Sequence, residues 1–264
     1  MYKLGLLGNG ISYTLSPLVH GAAFDYLGVE GAYDVFDVPP ESLGETVKKM
    51  RESLDGFNVT KPYKEKIIAL IDEDRSGCGA VNTVAVKGGK AVGYNTDGSG
   101  FIASFREDCD LSSGESVLVL GAGGAAKVVV KTLKDAGFDV FVHNRTAEKL
   151  KPIISETGAK AWRGEKAAAL VNCTSCGLKR GDNPLASLEH MLDIRSVKYA
   201  YDLIYSPPET DFLNRLKAAG ARTKNGLDML IYQAIKADEI ILGVSLTGAD
   251  YREIKRIVLR TVEA

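Results

Sequence analysis

The chain has 264 residues, 45% of them hydrophobic and 25% charged, with a formal net charge of -1. That supplies apolar material for two cores of ordinary domain size and excludes the broad basic face on which nucleic-acid binders rely. No apolar run approaches the roughly 18 residues of a membrane span and neither end reads as a targeting segment, so a cytoplasmic location is expected. The cysteines Cys78, Cys109, Cys173 and Cys176 are too scattered for a disulfide scaffold. Cys173-Thr-Ser-Cys176 is formally C-x-x-C, but with no second pair and no neighbouring histidine it reads as packing at a strand end, and no metal is expected.

Strands and helices alternate along the first half. Tyr2 to Leu7 reads as a strand, Pro17 to Leu27 as a helix, Ala32 to Val38 as a strand, Pro40 to Ser53 as a helix and Gly56 to Val59 as a strand. Tyr63 to Ile71 is a short helix, and Thr83 to Val86 with Ala91 to Tyr94 form a hairpin around Lys87-Gly-Gly-Lys90. This is an α/β domain that ends near Asp97. A helix from Gly98 to about Arg106 leads into a second α/β domain, with strands at Val117 to Leu120, Val140 to His143, Ala169 to Cys173, Tyr199 to Leu203 and Arg222-Thr223. Two closing helices, Leu227 to Leu242 and Ala249 to Thr261, are expected to return to the first domain, because the second sheet is already complete.

Polar residues interrupt this pattern at element ends. Thr14 and Ser16 stand two apart before Pro17; serine prefers the cap of a helix and proline its first turn, so the pair is either plain N-capping or a grip for a carboxylate at a positive helix end. Lys64 follows Thr60 by four residues, past the end of the strand Gly56 to Val59, where ligands of open α/β sheets bind. It is alternatively a solvated helix lysine like Lys66. Asn82 and Asp97 also sit at element ends, where turn residues are common.

The strand Val117 to Leu120 runs straight into Gly121-Ala-Gly123-Gly124-Ala125-Ala126, and a helix from about Gly124 to Ala136 follows. This strand–turn–helix suits a dinucleotide. Gly121 permits the tight turn, Gly123 admits a pyrophosphate, and Ala126 keeps the helix close to its strand, with free N–H groups facing the phosphates. NAD sites usually carry an acid at the end of the next strand to hold the ribose 2'-hydroxyl. Here that strand ends in Asn144-Arg145-Thr146, with Lys149 one turn on, which argues for the 2'-phosphate of NADP against a surface arginine beside an NAD site. A charge-assisted hydrogen bond contributes roughly 1.5 to 3 kcal/mol, enough for about ten- to a hundredfold preference.

Taken together these stretches resemble the shikimate dehydrogenase family over nearly the whole chain. The carriers are Gly8-Asn9 through Leu15-Ser16-Pro17, Asn58 through Lys64, Gly79-Ala-Val-Asn82-Thr83, Asn95-Thr-Asp97-Gly-Ser-Gly100, Gly121 to Ala126, Asn144 to Thr146, Asn172 to Ser175, Asp202 through Pro207, and Met229-Leu230 with Gln233-Ala234. The resemblance implies residues 1–97 and 236–264 as a substrate-binding catalytic domain and 98–235 as a Rossmann-like NADP domain. It implies NADPH-dependent reduction of 3-dehydroshikimate to shikimate, a step toward chorismate and the aromatic amino acids. Thr14 and Ser16 match the hydroxyls that hold the substrate carboxylate. Thr60, Asn82, Asp97 and Gln233 match groups that hold the ring hydroxyls and the reacting oxygen, and Tyr205 matches a tyrosine lining the pocket. Lys64 and Asp97 match the catalytic pair, Lys64 as proton donor and Asp97 as its orienter. Gly121, Gly123, Gly124, Ala125 and Ala126 take the pyrophosphate, Asn144, Arg145, Thr146 and Lys149 surround the ribose phosphate, and Thr174 is a further cofactor-binding residue. The resemblance leaves a homodimer open.

Departures from the usual pattern are Gly10 for a proline, Tyr13 and Thr14 for a His-Ser pair, Lys149 for an arginine and Asp228 for a glycine. Thr14 keeps a hydroxyl but adds a methyl, Lys149 lacks the bidentate fork of arginine, and Asp228 brings a negative charge near the expected nicotinamide end. Rival readings are an NAD-linked quinate/shikimate dehydrogenase, a binding protein that senses NADP or shikimate without turnover, and a methylenetetrahydrofolate dehydrogenase, which the Asn58 to Lys64 stretch fits poorly.

Overall fold

Leu4 and Leu7 of the first strand are fully buried, and two further strands pair in parallel on either side of it. The computed structural model that shows this describes residues 1–11, 14–179, 181–188 and 190–263. By Cα packing the chain divides into one unit of Met1–Gly100 with Ile231–Ala264 and another of Phe101–Leu230.

The first unit opens with β1 (Tyr2–Gly8), α1 (Ser16–Leu27), β2 (Gly31–Asp37), α2 (Leu43–Ser53) and β3 (Gly56–Val59), followed by β4 (Glu73–Asp74), β5 (Thr83–Lys87), β6 (Lys90–Tyr94) and the start of α3 (Asp97–Asp108). Its sheet has the order β2-β1-β3-β5-β6-β4, parallel from β2 to β3 and antiparallel through β3, β5 and β6. β3 is buried along its whole length, so Phe57 and Val59 face core on a strand that also carries the polar Asn58.

In the second unit α3 is followed by β7 (Ser116–Leu120), α4 (Gly124–Asp135), β8 (Asp139–His143), α5 (Leu150–Thr157), β9 (Lys160–Ala161), β10 (Ala169–Asn172), β11 (Tyr199–Asp202), α6 (Asp211–Ala218) and β12 (Arg222–Lys224). The sheet order β12-β11-β10-β7-β8-β9 is all parallel. Chain order reverses between β7 and β10, the switch point outside whose carboxyl ends dinucleotides bind in doubly wound sheets. β10 and β11 are buried throughout, and each closes on a buried polar residue, Asn172 and Asp202, whose side chains pair with each other.

Two long helices, α7 (Leu227–Leu242) and α8 (Gly248–Glu263), close the chain. From Ile231 onward they belong to the first unit, where Ile241 joins Leu4, Phe24 and Ala85 in one apolar cluster and α8 packs on α1.

Several expectations need correction. Residues 63–71 hold only a 3-10 segment, Lys66–Leu70, because the ring of Tyr63 is buried and its hydroxyl donates to Val38 O, anchoring the chain before a helix can start. Pro40–Ser42 is likewise 3-10, and α2 begins only at Leu43. The sequence reading has no counterpart for β4, α5, β9 or α6. β4 and β9 are two residues long, too short for any periodicity, and α5 carries Pro152 in its first turn. α6 did carry a start signal: Thr210 caps it by accepting the Leu213 N–H. No helix among the described residues is long and apolar enough to cross a membrane.

Candidate active site

In the first unit four stretches converge beyond the end of β3. Thr60 continues β3 and donates its N–H to Leu7 O at 2.9 Å, and the turn Thr60–Tyr63 carries the chain to Lys64. The Lys64 carbonyl accepts the Val81 N–H at 2.8 Å, which locks it beside Asn82, while the Asn82 N–H goes to Tyr94 O at 3.0 Å. Asp97, the first residue of α3, gives its N–H to Asn95 Oδ1 at 3.0 Å.

The side chains meet on this frame. Lys64 Nζ lies 2.6 Å from Asp97 Oδ2, with one side chain 33% exposed and the other 15%. Asn82 is buried, and its amide nitrogen donates to Asp97 Oδ1 (2.8 Å), Thr96 Oγ1 (3.0 Å) and Gln233 Oε1 (3.2 Å), one N–H being shared. Its oxygen accepts the Thr96 N–H at 2.8 Å and the Thr83 hydroxyl at 3.0 Å, so flipping the amide would break the pairing on both of its ends. Asp97 is thereby gripped at both oxygens, and the Lys64 ammonium is aimed by a carboxylate that is itself fixed.

Ser16 is not the cap of α1: it is the first helical residue, with Leu15 at the cap position. Thr14 takes up the local bonds, its hydroxyl accepting the Ser16 N–H at 3.1 Å and donating to Ser16 Oγ at 3.0 Å. Both hydroxyls therefore sit together at the N-terminus of α1. Tyr13, beside them, falls outside the described residues. Sequence reasoning missed Tyr33, whose hydroxyl donates to Asn58 Oδ1 at 2.9 Å. A polar Asn58 inside the buried strand β3 was the signal that could have found this neighbourhood.

In the second unit β7 enters the glycine turn. Gly121 has φ +118°, its N–H goes to His143 O at 2.8 Å, and a Cβ there would lie 3.2 Å from the backbone of Cys173. Gly123 caps α4 in extended backbone, no side chain caps the helix, and a Cβ at Gly123 or Gly124 would meet nothing within 4 Å. The first turn, Gly124 to Ala126, thus presents N–H groups at the positive end of α4, and Ala126 is fully buried against the sheet. At the end of β8, Asn144 donates to Thr146 O at 2.8 Å and shapes a turn from which Arg145, Thr146 and Lys149 stand exposed.

Thr174 is occupied by its own loop: its hydroxyl donates to Asn172 Oδ1 at 2.7 Å and accepts the Cys176 N–H at 3.0 Å. Asn172 in turn holds the buried Asp202 at 3.0 Å, whose carboxyl is pushed up by burial and pulled back by Thr210, the Ile204 N–H and Asn172. Tyr205 follows β11, half-buried. Burial pushes the Cys173 and Cys176 thiols up, leaving little nucleophilic thiolate, and among the described residues no group of three or more His, Cys, Asp or Glu is arranged to hold a metal. Asp228 does not stand as a bare charge: Lys224 Nζ is 2.8 Å from it, and also reaches Glu107 at 2.9 Å and Asp108 at 2.5 Å.

A family model described as the shikimate dehydrogenase substrate binding domain matches residues 6–84, and one described as shikimate / quinate 5-dehydrogenase matches residues 105–174. A shikimate dehydrogenase (NADP(+)) of Desulfitobacterium hafniense is 39% identical over 252 residues, 90% of this chain and 91% of its own length. The chain belongs to the shikimate dehydrogenase family. Another family member, from Carboxydothermus hydrogenoformans, is 37% identical over 257 residues, 91% of each chain. The crystal structure of shikimate 5-dehydrogenase from Thermus thermophilus, in complex with NADP(H) and shikimate, aligns with a TM-score of 0.88 at 35% identity, covering 98% of this chain and 100% of that one.

The glycine turn tests whether the residues of this family member fit a dinucleotide phosphate, and they do. The clear space at Gly123 and Gly124, the uncapped N-terminus of α4 and two exposed cations past β8 are the donor set for a pyrophosphate and a further phosphate.

Proposed function

We propose that this protein interconverts 3-dehydroshikimate and shikimate with NADP(H), the first unit holding the substrate and the second the cofactor. The carrying observation is the Lys64–Asp97 pair at 2.6 Å, fixed by Asn82 and lying in the same unit as the paired hydroxyls of Thr14 and Ser16. When bound, NADPH supplies the hydride. The N–H groups of Gly124, Ala125 and Ala126 at the start of α4 hold the pyrophosphate behind the turn of Gly121 and Gly123, while Asn144, Arg145, Thr146 and Lys149 hold the ribose phosphate. Thr174 shapes the loop facing Gly121.

As negative charge builds on the ketone oxygen, the Lys64 ammonium stabilises it and delivers a proton. Asp97 keeps that ammonium in place and accepts a substrate hydroxyl. Lys64 is one-third exposed, so its amine recovers a proton from water once product leaves. Thr14 and Ser16, at the positive end of α1, grip the substrate carboxylate. Thr60, Asn82 and Gln233 hold the ring.

A spectrophotometric assay of shikimate and quinate, each with NADP+ and NAD+, tests the reading. Turnover of shikimate with NADP+ far above the other three combinations is expected. Preference for quinate with NAD+ selects the quinate-type enzyme, and binding without turnover selects a sensor. A cytoplasmic setting and assembly as a homodimer belong to the same proposal, and sedimentation at the 28.3 kDa of one chain would remove the second.

A further inference from the structure

Beside the proposed substrate hydroxyls lies a buried pair for which the reaction has no direct use. His20 of α1 and Asp238 of α7 are 1% and 0% exposed, with Nδ1 2.7 Å from Oδ1. Asp238 Oδ2 is buried without any hydrogen-bond partner, and burial pushes the carboxyl up against the opposing pull of His20. Such a pair is a poor stability device: apolar residues of similar volume commonly do as well or better, and an orphaned buried oxygen adds cost.

Its surroundings supply another reason for it. The His20 ring lies flat on that of Tyr33, centroids 4.1 Å apart and planes 10° apart. The Tyr33 hydroxyl donates to Asn58 Oδ1 at 2.9 Å. The Asn58 amide donates to Thr83 Oγ1 at 3.2 Å, and Thr83 donates to Asn82 Oδ1, the amide that grips Asp97. One phenol, held by the buried pair, therefore reaches the network behind Lys64. A tilt of the Tyr33 ring would move Asn58.

We propose that the buried His20–Asp238 pair is a positioning device for the substrate site: it fixes the ring of Tyr33, and through its hydroxyl the place of Asn58 behind Asn82. The inference rests on the shikimate reading. Asp238 anchors the imidazole from α7, the helix that also brings Gln233 to Asn82. The stacked ring transmits that anchor to Tyr33.

The test compares wild type with His20→Leu/Asp238→Val, Asp238→Asn, Tyr33→Phe, and the first and last combined, in steady-state kinetics and thermal melting. The apolar pair is expected to keep the wild-type melting temperature while KM for shikimate rises about three- to tenfold, the scale of one hydrogen bond, with kcat and KM for NADP+ moving less than about twofold. Tyr33→Phe should give the same split, and the combined variant no further rise, since both act through one hydroxyl. Asp238→Asn keeps an acceptor for His20 and should restore most of the wild-type KM. Wild-type KM in the apolar-pair variant, or effects that multiply in the combined one, would overturn the proposal. Should the apolar pair fail to fold, an unchanged KM in Tyr33→Phe overturns it alone. Absence of shikimate turnover in the wild type is a different result, which overturns the functional reading and this inference with it.

Discussion

Lys64 Nζ stands 2.6 Å from Asp97 Oδ2 across 33 residues of sequence, and the second oxygen of that carboxylate is tied to Asn82. The ammonium is thus aimed before any substrate arrives, which is what a transition-state proton donor requires. Lys64→Ala should lower kcat by about 10² to 10⁴ while KM for shikimate moves little. An unchanged kcat would remove Lys64 from the chemistry.

Asn82 holds the Asp97 end of this arrangement from a buried position. Replacing it by aspartate keeps an acceptor for Thr96 and Thr83 but removes the amide donor to Asp97 and sets a second carboxylate against it, where like charges repel. Asn82→Asp is expected to lower kcat/KM for shikimate about tenfold or more, the scale of one lost hydrogen bond to a charged group. Wild-type kcat/KM in this variant would refute the positioning of Asp97 by Asn82.

Arg145 stands exposed past β8, free to meet a phosphate. Arg145→Ala should raise KM for NADPH about ten- to a hundredfold and leave KM for NADH nearly unchanged. Equal losses for both cofactors would reject the 2'-phosphate reading.

Lys224 is 9% exposed and faces Glu107, Asp108 and Asp228. Burial alone would lower its pKa, but these carboxylates override that and raise it. A raised lysine contributes stability that is complete below the unfolded value of about 10.4 and fades as the pH climbs beyond it. Lys224→Met should cost about 1 to 3 kcal/mol at pH 7, discounted for the partial exposure of its partners, and Asp228→Gly in that background should recover part of it. Denaturant melts of the two variants measure both.

Glu73 accepts from Arg75 at 2.5 Å and Lys90 at 2.7 Å, which hold its carboxyl down at about 2. A depressed acid contributes stability above its unfolded pKa and loses it as the pH falls toward the folded one, here from about 4.5 to about 2. Carboxyl NMR should show Glu73 titrating near the lower figure. Lys90→Ala should move its midpoint toward the ordinary range.

Local features are legible in the chain before it folds. The run Val117 to Ala126 reads as strand, turn and helix because apolar side chains, a turn needing φ +118° at Gly121 and a small residue at Ala126 are written in consecutive positions. The missing acid after β8 is legible for the same reason, and so are α7 and the hairpin of β5 and β6. Elements with no local excess of signal, such as β9 and the proline-bearing α5, were not. Polar residues at element ends pointed to Lys64, Asn82 and Asp97 one at a time, but which oxygen of Asp97 meets which partner depends on β3, β5 and α3 closing on each other. Asp228 looked like an uncompensated charge until the chain placed Lys224 against it. His20 and Asp238, 218 residues apart, carry no mutual signal at all. Backbone propensity is set by neighbours in the chain, whereas a hydrogen bond of 2.7 Å exists only after packing has brought two distant side chains within reach, and that is settled in three dimensions.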